Sequence, residues 1–127
     1  HEFLGSSVAG KDVIIMDDMI SSGESMLDTA KELKKRNAKR IIICATFGLF
    51  TNGLAKFDEF HNLGLIDYVC TTNVHYRNPE LLTKPWYLEA DMTKYLAAII
   101  NSYNHDVSIG KSLSSTTKIQ NFVAKFK

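Results

Sequence analysis

Two cysteines, two prolines and one tryptophan among 127 residues leave no material for a disulfide scaffold or a proline-rich linker. An excess of charge of one sign is also missing: fifteen basic and fourteen acidic residues give a net charge of +1. No strong field exists to hold a nucleic-acid backbone or an anionic membrane, so nothing supports a nucleic-acid partner. Apolar runs near the roughly 18 residues that cross a bilayer are absent, as is a basic segment followed by an apolar one at the N-terminus. These absences exclude a helical membrane span and read as a cytoplasmic chain without a membrane partner. Cys44 and Cys70 each lie in an apolar β-type run without a Cys-x-x-Cys partner, and read as small buried hydrophobes.

What remains, 45% hydrophobic and 23% charged residues, suits one globular domain with a modest core. Residues 1–10 are small and glycine-containing, and read as a connection. Val13-Ile14-Ile15-Met16 is a continuous β-branched run, expected to be a strand covered on both faces, and it ends in Asp17 and Asp18. From Ser25 to Arg36, Met26, Leu27, Ala30 and Leu33 recur at helical spacing, and Asn37 can end the helix in the left-handed conformation. Ile41 to Ala45 is a second strand, so a right-handed βαβ unit is expected.

The pattern repeats more weakly. Leu54, Phe57 and Phe60 mark a helix, and Ile66 to Cys70 a third strand. Trp86-Tyr87-Leu88 reads as a short edge strand, and Met92, Leu96, Ile99 and Tyr103 mark another helix. Residues 104–116 are polar and read as a linker, before a last amphipathic segment with Ile119, Phe122, Val123 and Phe126 that is expected to pack on the domain or on another subunit. The alternation predicts an α/β fold, doubly wound around a mostly parallel sheet.

Ser21-Ser22-Gly23-Glu24-Ser25 stands where a helix begins, and there unpaired backbone N–H groups and the helix dipole both favour an anion. Gly23 permits close backbone approach, and the serine hydroxyls can each donate to a phosphate oxygen. Asp17 and Asp18, about one ribose length away, are carboxylates that accept hydrogen bonds from vicinal hydroxyls. An acidic pair beside an anion loop suits a phosphorylated sugar. It suits a bare nucleotide phosphate less well, because the lysine of a P-loop is absent. Two other readings stay open: an ordinary serine-capped turn with solvated aspartates, and a magnesium or phospho-acceptor cluster. His61, His75 and His105 share no metal-ligand spacing and read as surface or capping residues; Tyr76 and Arg77 follow the third strand on the side where open sheets bind ligands; Trp86 reads as packing.

Lys11 to Ser25, followed by Ala30 to Arg40, resembles the C-terminal domain of the ribose-phosphate pyrophosphokinases, or phosphoribosyl pyrophosphate synthetases, with their type I phosphoribosyltransferase fold. Ala45-Thr46-Phe47-Gly48-Leu49-Phe50-Thr51 is similar to that family's Ala-Thr-His-Gly-Leu-Phe-Ser segment, and Thr71 to Val74 to its Thr-Asn-Thr-Ile segment. Asn104 to Ile109 matches the close of its last helix, so the resemblance spans residues 8–113. It implies a domain over residues 1–113 and a helical extension over 114–127. The Asp-Asp loop is common to all type I phosphoribosyltransferases, and the later segments point to the synthetases.

The resemblance implies transfer of the diphosphoryl group of ATP to ribose 5-phosphate, giving phosphoribosyl pyrophosphate and AMP, with Mg2+ and as a homo-oligomer. Asp17 and Asp18 would serve the ribose hydroxyls, and Ser21, Ser22, Gly23, Glu24 and Ser25 the 5-phosphate. The family loop usually runs Asp-Thr-Gly-Gly-Thr, so Ser21 removes a negative charge and Glu24 adds one beside the phosphate; Phe47 replaces a histidine. The ATP-binding, magnesium-binding and basic-loop segments have no counterpart here. The expectation is a piece of the enzyme, holding no catalytic or metal-binding residue and inactive alone. The alternatives are a base-specific phosphoribosyltransferase and a non-catalytic regulatory relative.

Overall fold

The computed structural model describes residues 5–108 and 116–126. Packing divides the chain into two compact units, His1–Asp91 and Met92–Lys127. The first is a four-stranded parallel sheet in the order β1 (Val13–Ile20), β2 (Ile41–Gly48), β3 (Tyr68–Thr72), β4 (Tyr87–Ala90). Helix α1 (Glu24–Lys35) joins β1 to β2, and α2 (Ala55–Asn62) joins β2 to β3. A single 3-10 turn at Leu81–Thr83 precedes β4.

The local chemistry explains the joints. Asn37 adopts φ 61, while its N–H bonds Lys34 O at 2.9 Å and that of Ala38 bonds Leu33 O at 3.1 Å. This paired closure, with buried Leu33 and Ala38 in the same core, ends α1 as expected and turns the chain into β2. Asp12 and Arg40 then pair at the start of the two strands.

The core holds the apolar stripe of α1 (Met26, Leu27, Ala30, Leu33), Phe57 of α2, and Ile41, Ile43, Ala45 and Val69 of the sheet. Both helices therefore share one face of the sheet. Beneath them lies an aromatic cluster: Phe57 stacks on Trp86 at 5.5 Å between ring centres and meets Phe50 edge-on at 5.1 Å. The Trp86 indole N–H donates to Asp58 Oδ1 at 2.8 Å, and Lys84 bonds the other oxygen at 2.7 Å.

Several expectations change. The first strand was expected to stop before the aspartates and to be covered on both faces; it runs on to Ile20, and Ile14 and Met16 are exposed. Main-chain pairing with β2 carries it through Asp17, Met19 and Ile20 opposite Ala45, Phe47 and Gly48, which side-chain polarity cannot reveal. The second strand likewise continues to Gly48, the third lies two residues later at Tyr68–Thr72, and the fourth begins after Trp86, whose side chain is fully buried. The cysteines are half-buried rather than core residues.

The second unit contains α3 (Thr93–Asn104) and α4 (Thr116–Ala124). Asp106 at φ 49 and a bond from Val107 N–H to Ser102 O at 3.0 Å close α3 in the manner of Asn37. Ile119, Phe122, Val123 and Phe126 of the last segment are exposed. Residues 109–115 of the polar stretch, and with them the boundary expected at 113, lie outside the described residues. No helix among those described is long and apolar enough to cross a membrane.

Candidate functional site

The sheet is parallel, so the carboxyl ends of its strands gather at one edge, where open α/β sheets bind ligands. Alternation of burial along β1 stops there. Asp17, Asp18 and Met19 are exposed in succession, and Ile20 then turns into the core. The Asp18 N–H donates to Asp17 Oδ1 at 2.8 Å, holding the first carboxylate against the main chain.

After Ile20 the chain makes the turn Ser21-Ser22-Gly23 into α1. Gly23 adopts φ 84, ψ −3, and is buried. A side chain could not stand there: a Cβ would lie 2.3 Å from Phe57 Cζ. Both the left-handed backbone and the approach of α2 require glycine. The first helical bond runs from Leu27 N–H to Gly23 O at 3.0 Å, which leaves the N–H groups of Ser25 and Met26 without helical partners. Glu24 N–H reaches Ser22 Oγ at a long 3.4 Å. Exposed Ser21 and Ser25 stand beside this start.

The neighbouring loop locks this geometry. Leu49 N–H donates to Ile20 O at 2.8 Å and Thr51 N–H to Ser21 O at 3.0 Å, so the segment after β2 braces the turn after β1. Further along the edge, the Thr72 hydroxyl donates to Thr46 O at 2.6 Å. A depression of about 250 Å3 opens beside Gly48, Phe50, Gly53 and Tyr76 and is lined by no charged side chain.

Glu24, the acidic residue in the expected anion loop, is paired. Lys56 Nζ on α2 lies 2.6 Å from Glu24 Oε1, and that bond and the ammonium charge hold the Glu24 carboxyl below its usual range. The same pair raises Lys56. The repulsion expected from sequence is thereby offset within the chain.

The structure thus brings Asp17, Asp18, Ser21, Ser22, Gly23, Glu24 and Ser25 together at one edge. It adds Lys56, Phe57 and Thr51, which lie far along the chain and which the sequence did not tie to this loop. Arg77 is taken by an ion pair with Glu89, while Tyr76 is exposed. His75 stands edge-on to Phe47 at 6.3 Å, and His105 Nδ1 meets Asn101 O at 2.9 Å. The Nδ1 atoms of His61 and His75 are buried without a hydrogen-bond partner, and His61 lies in the last turn of α2. Among the described residues, no group of three or more His, Cys, Asp or Glu side chains is placed to hold a metal ion.

Comparison with known proteins gives the same direction. The model of the phosphoribosyl transferase domain matches residues 3–73. The ribose-phosphate pyrophosphokinase of Mycoplasma pneumoniae is 43% identical over 68 residues, covering 52% of this chain and 20% of that protein. That of Mycoplasmopsis pulmonis is 33% identical over 111 residues, covering 85% of this chain and 33% of that protein. The phosphoribosylpyrophosphate synthetase structure from Mycobacterium smegmatis aligns with a TM-score of 0.69 at 25% identity, over 80% of this chain and 33% of that one. The chain therefore spans a fifth to a third of the length of these relatives.

Proposed function

The chain belongs to the phosphoribosyl transferase domain family, related to the ribose-phosphate pyrophosphokinases, and from that premise we propose that it forms the ribose 5-phosphate-binding part of a ribose-phosphate diphosphokinase. The enzyme transfers the diphosphoryl group of ATP to the 1-hydroxyl of ribose 5-phosphate, giving phosphoribosyl pyrophosphate and AMP. The observation that carries this reading is the left-handed Gly23 turn, braced by Thr51, at the end of a strand that exposes Asp17 and Asp18.

In this reading the 5-phosphate lies over the start of α1, taking hydrogen bonds from Ser25 and Met26 N–H and from the hydroxyls of Ser21 and Ser25. Asp17 and Asp18 accept hydrogen bonds from the ribose hydroxyls and set the sugar's orientation. The chain's part in the reaction is placement: it fixes where the 1-hydroxyl stands relative to the diphosphoryl donor. Stabilising the charge of the transferring group calls for positioned cations. A Mg2+ ion for such a transfer would draw its protein ligands from elsewhere in the enzyme; among the described residues no group of three or more His, Cys, Asp or Glu side chains is placed to hold one. Alone, the 127 residues bind sugar phosphate without turning it over.

A regulatory relative without activity is the second reading, favoured by Ser21 and Glu24. The Glu24–Lys56 pair removes much of that support. An assay of the complete natural protein with ATP and ribose 5-phosphate tests the function. AMP formation without any added base is expected; diphosphate release from phosphoribosyl pyrophosphate that depends on a purine or pyrimidine would assign the chain to a base-specific transferase instead.

A further inference from the structure

Cys44 and Cys70, far apart in the chain, are direct register partners on β2 and β3. Adjacent strands lie about 4.8 Å apart, inside the roughly 4.4–6.8 Å between Cα atoms that a disulfide spans. Their side chains leave the same face, opposite the core, because Ile43, Ala45, Val69 and Thr71 beside them are the buried residues. Both are half-buried, and the same cross-sheet row continues to Met16 on one side, 79% exposed, and Leu88 on the other, 45% exposed.

We propose that Cys44 and Cys70 form a cross-strand dithiol that a hydroperoxide oxidises to an intrachain disulfide. The Cys44 thiolate attacks the peroxide O–O bond; an S–O bond forms, the O–O bond breaks, and the alkoxide or hydroxide leaves with the thiol proton as alcohol or water. The Cys70 sulfur then attacks the Cys44 sulfenic acid, the S–S bond forms, and hydroxide leaves with the Cys70 proton as water. Two thiols lose two electrons, which the peroxide accepts. Burial, together with the neighbouring Cys44 thiol, pushes the Cys70 thiol up in pKa, which suits it to the resolving step rather than the first attack. In a reducing compartment such a bond is transient and reports the oxidant. It would pin β2 to β3 just before Thr46 and Thr72, at the edge that carries the site.

The test uses the full chain, reduced, then exposed to hydrogen peroxide and examined by intact mass and non-reducing peptide mapping. The expected product has lost two hydrogens, links the Cys44 peptide to the Cys70 peptide, and reverts with dithiothreitol. Cys70→Ser should stop at a sulfenic acid on Cys44, trapped by dimedone. A wild-type chain that yields sulfinic acids, intermolecular dimers or unchanged thiols overturns the proposal, and that map decides without any variant.

Discussion

Gly23 and Phe57 are held so close that a single methyl group added to residue 23 would overlap the Phe57 ring, at 2.3 Å from Cζ. The turn that begins α1 rests on a ring that is itself fully buried and stacked on Trp86. The backbone at the start of α1 is therefore set by packing from the next helix, not by the loop alone.

Gly23→Ala should lower stability by about 1–3 kcal/mol through the left-handed backbone and by a similar amount through overpacking. Adding Phe57→Leu should recover the second part and not the first. Urea denaturation midpoints of the single and double variants check this; a Gly23→Ala protein as stable as wild type would show that the turn is not constrained as described.

Lys56 pairs with Glu24, and in the proposed site that pair shields the 5-phosphate from the carboxylate. Lys56→Met should weaken binding of ribose 5-phosphate severalfold, and Glu24→Gln in the same chain should restore it. A titration series over the four proteins at low ionic strength measures the coupling. Equal loss in the single and double variants would mean that Lys56 acts on the ligand directly.

Asp58 bridges Lys84 and Trp86 beneath the site. Burial pushes its carboxyl up, but the bonds from Lys84 and Trp86 outweigh burial and hold it below the usual value of 3.8. A depressed folded pKa means that its contribution to stability is present above the unfolded value and lost as pH falls through the folded one. Asp58→Asn should thus cost about 1–2 kcal/mol near neutral pH, discounted for the exposure of the carboxyl, and the gap to wild type should shrink below about pH 4. Thermal melting across pH 3–7 reads both.

Much of the fold was legible because its signals are local. The apolar run before Asp17, the helical spacing of Met26, Leu27, Ala30 and Leu33, and the end signal at Asn37 each act within a few residues. The turn Ser21-Ser22-Gly23 between β1 and α1 was legible for the same reason. What stayed hidden is decided by pairing across distance. Backbone ladders carry β1 past its aspartates, Lys56 reaches Glu24 from the next helix, and register alone sets Cys44 beside Cys70. None of these leaves a periodic trace in the sequence.

The central claim is that the loop from Asp17 to Ser25 grips ribose 5-phosphate, and calorimetric titration of the full chain tests it most directly, with ribose and inorganic phosphate as separate controls. Saturable binding of one ribose 5-phosphate, tighter than either control and abolished when Asp17 and Asp18 are both changed to Asn, is the predicted result. Binding no tighter than that of inorganic phosphate, or binding untouched by the double variant, would contradict it.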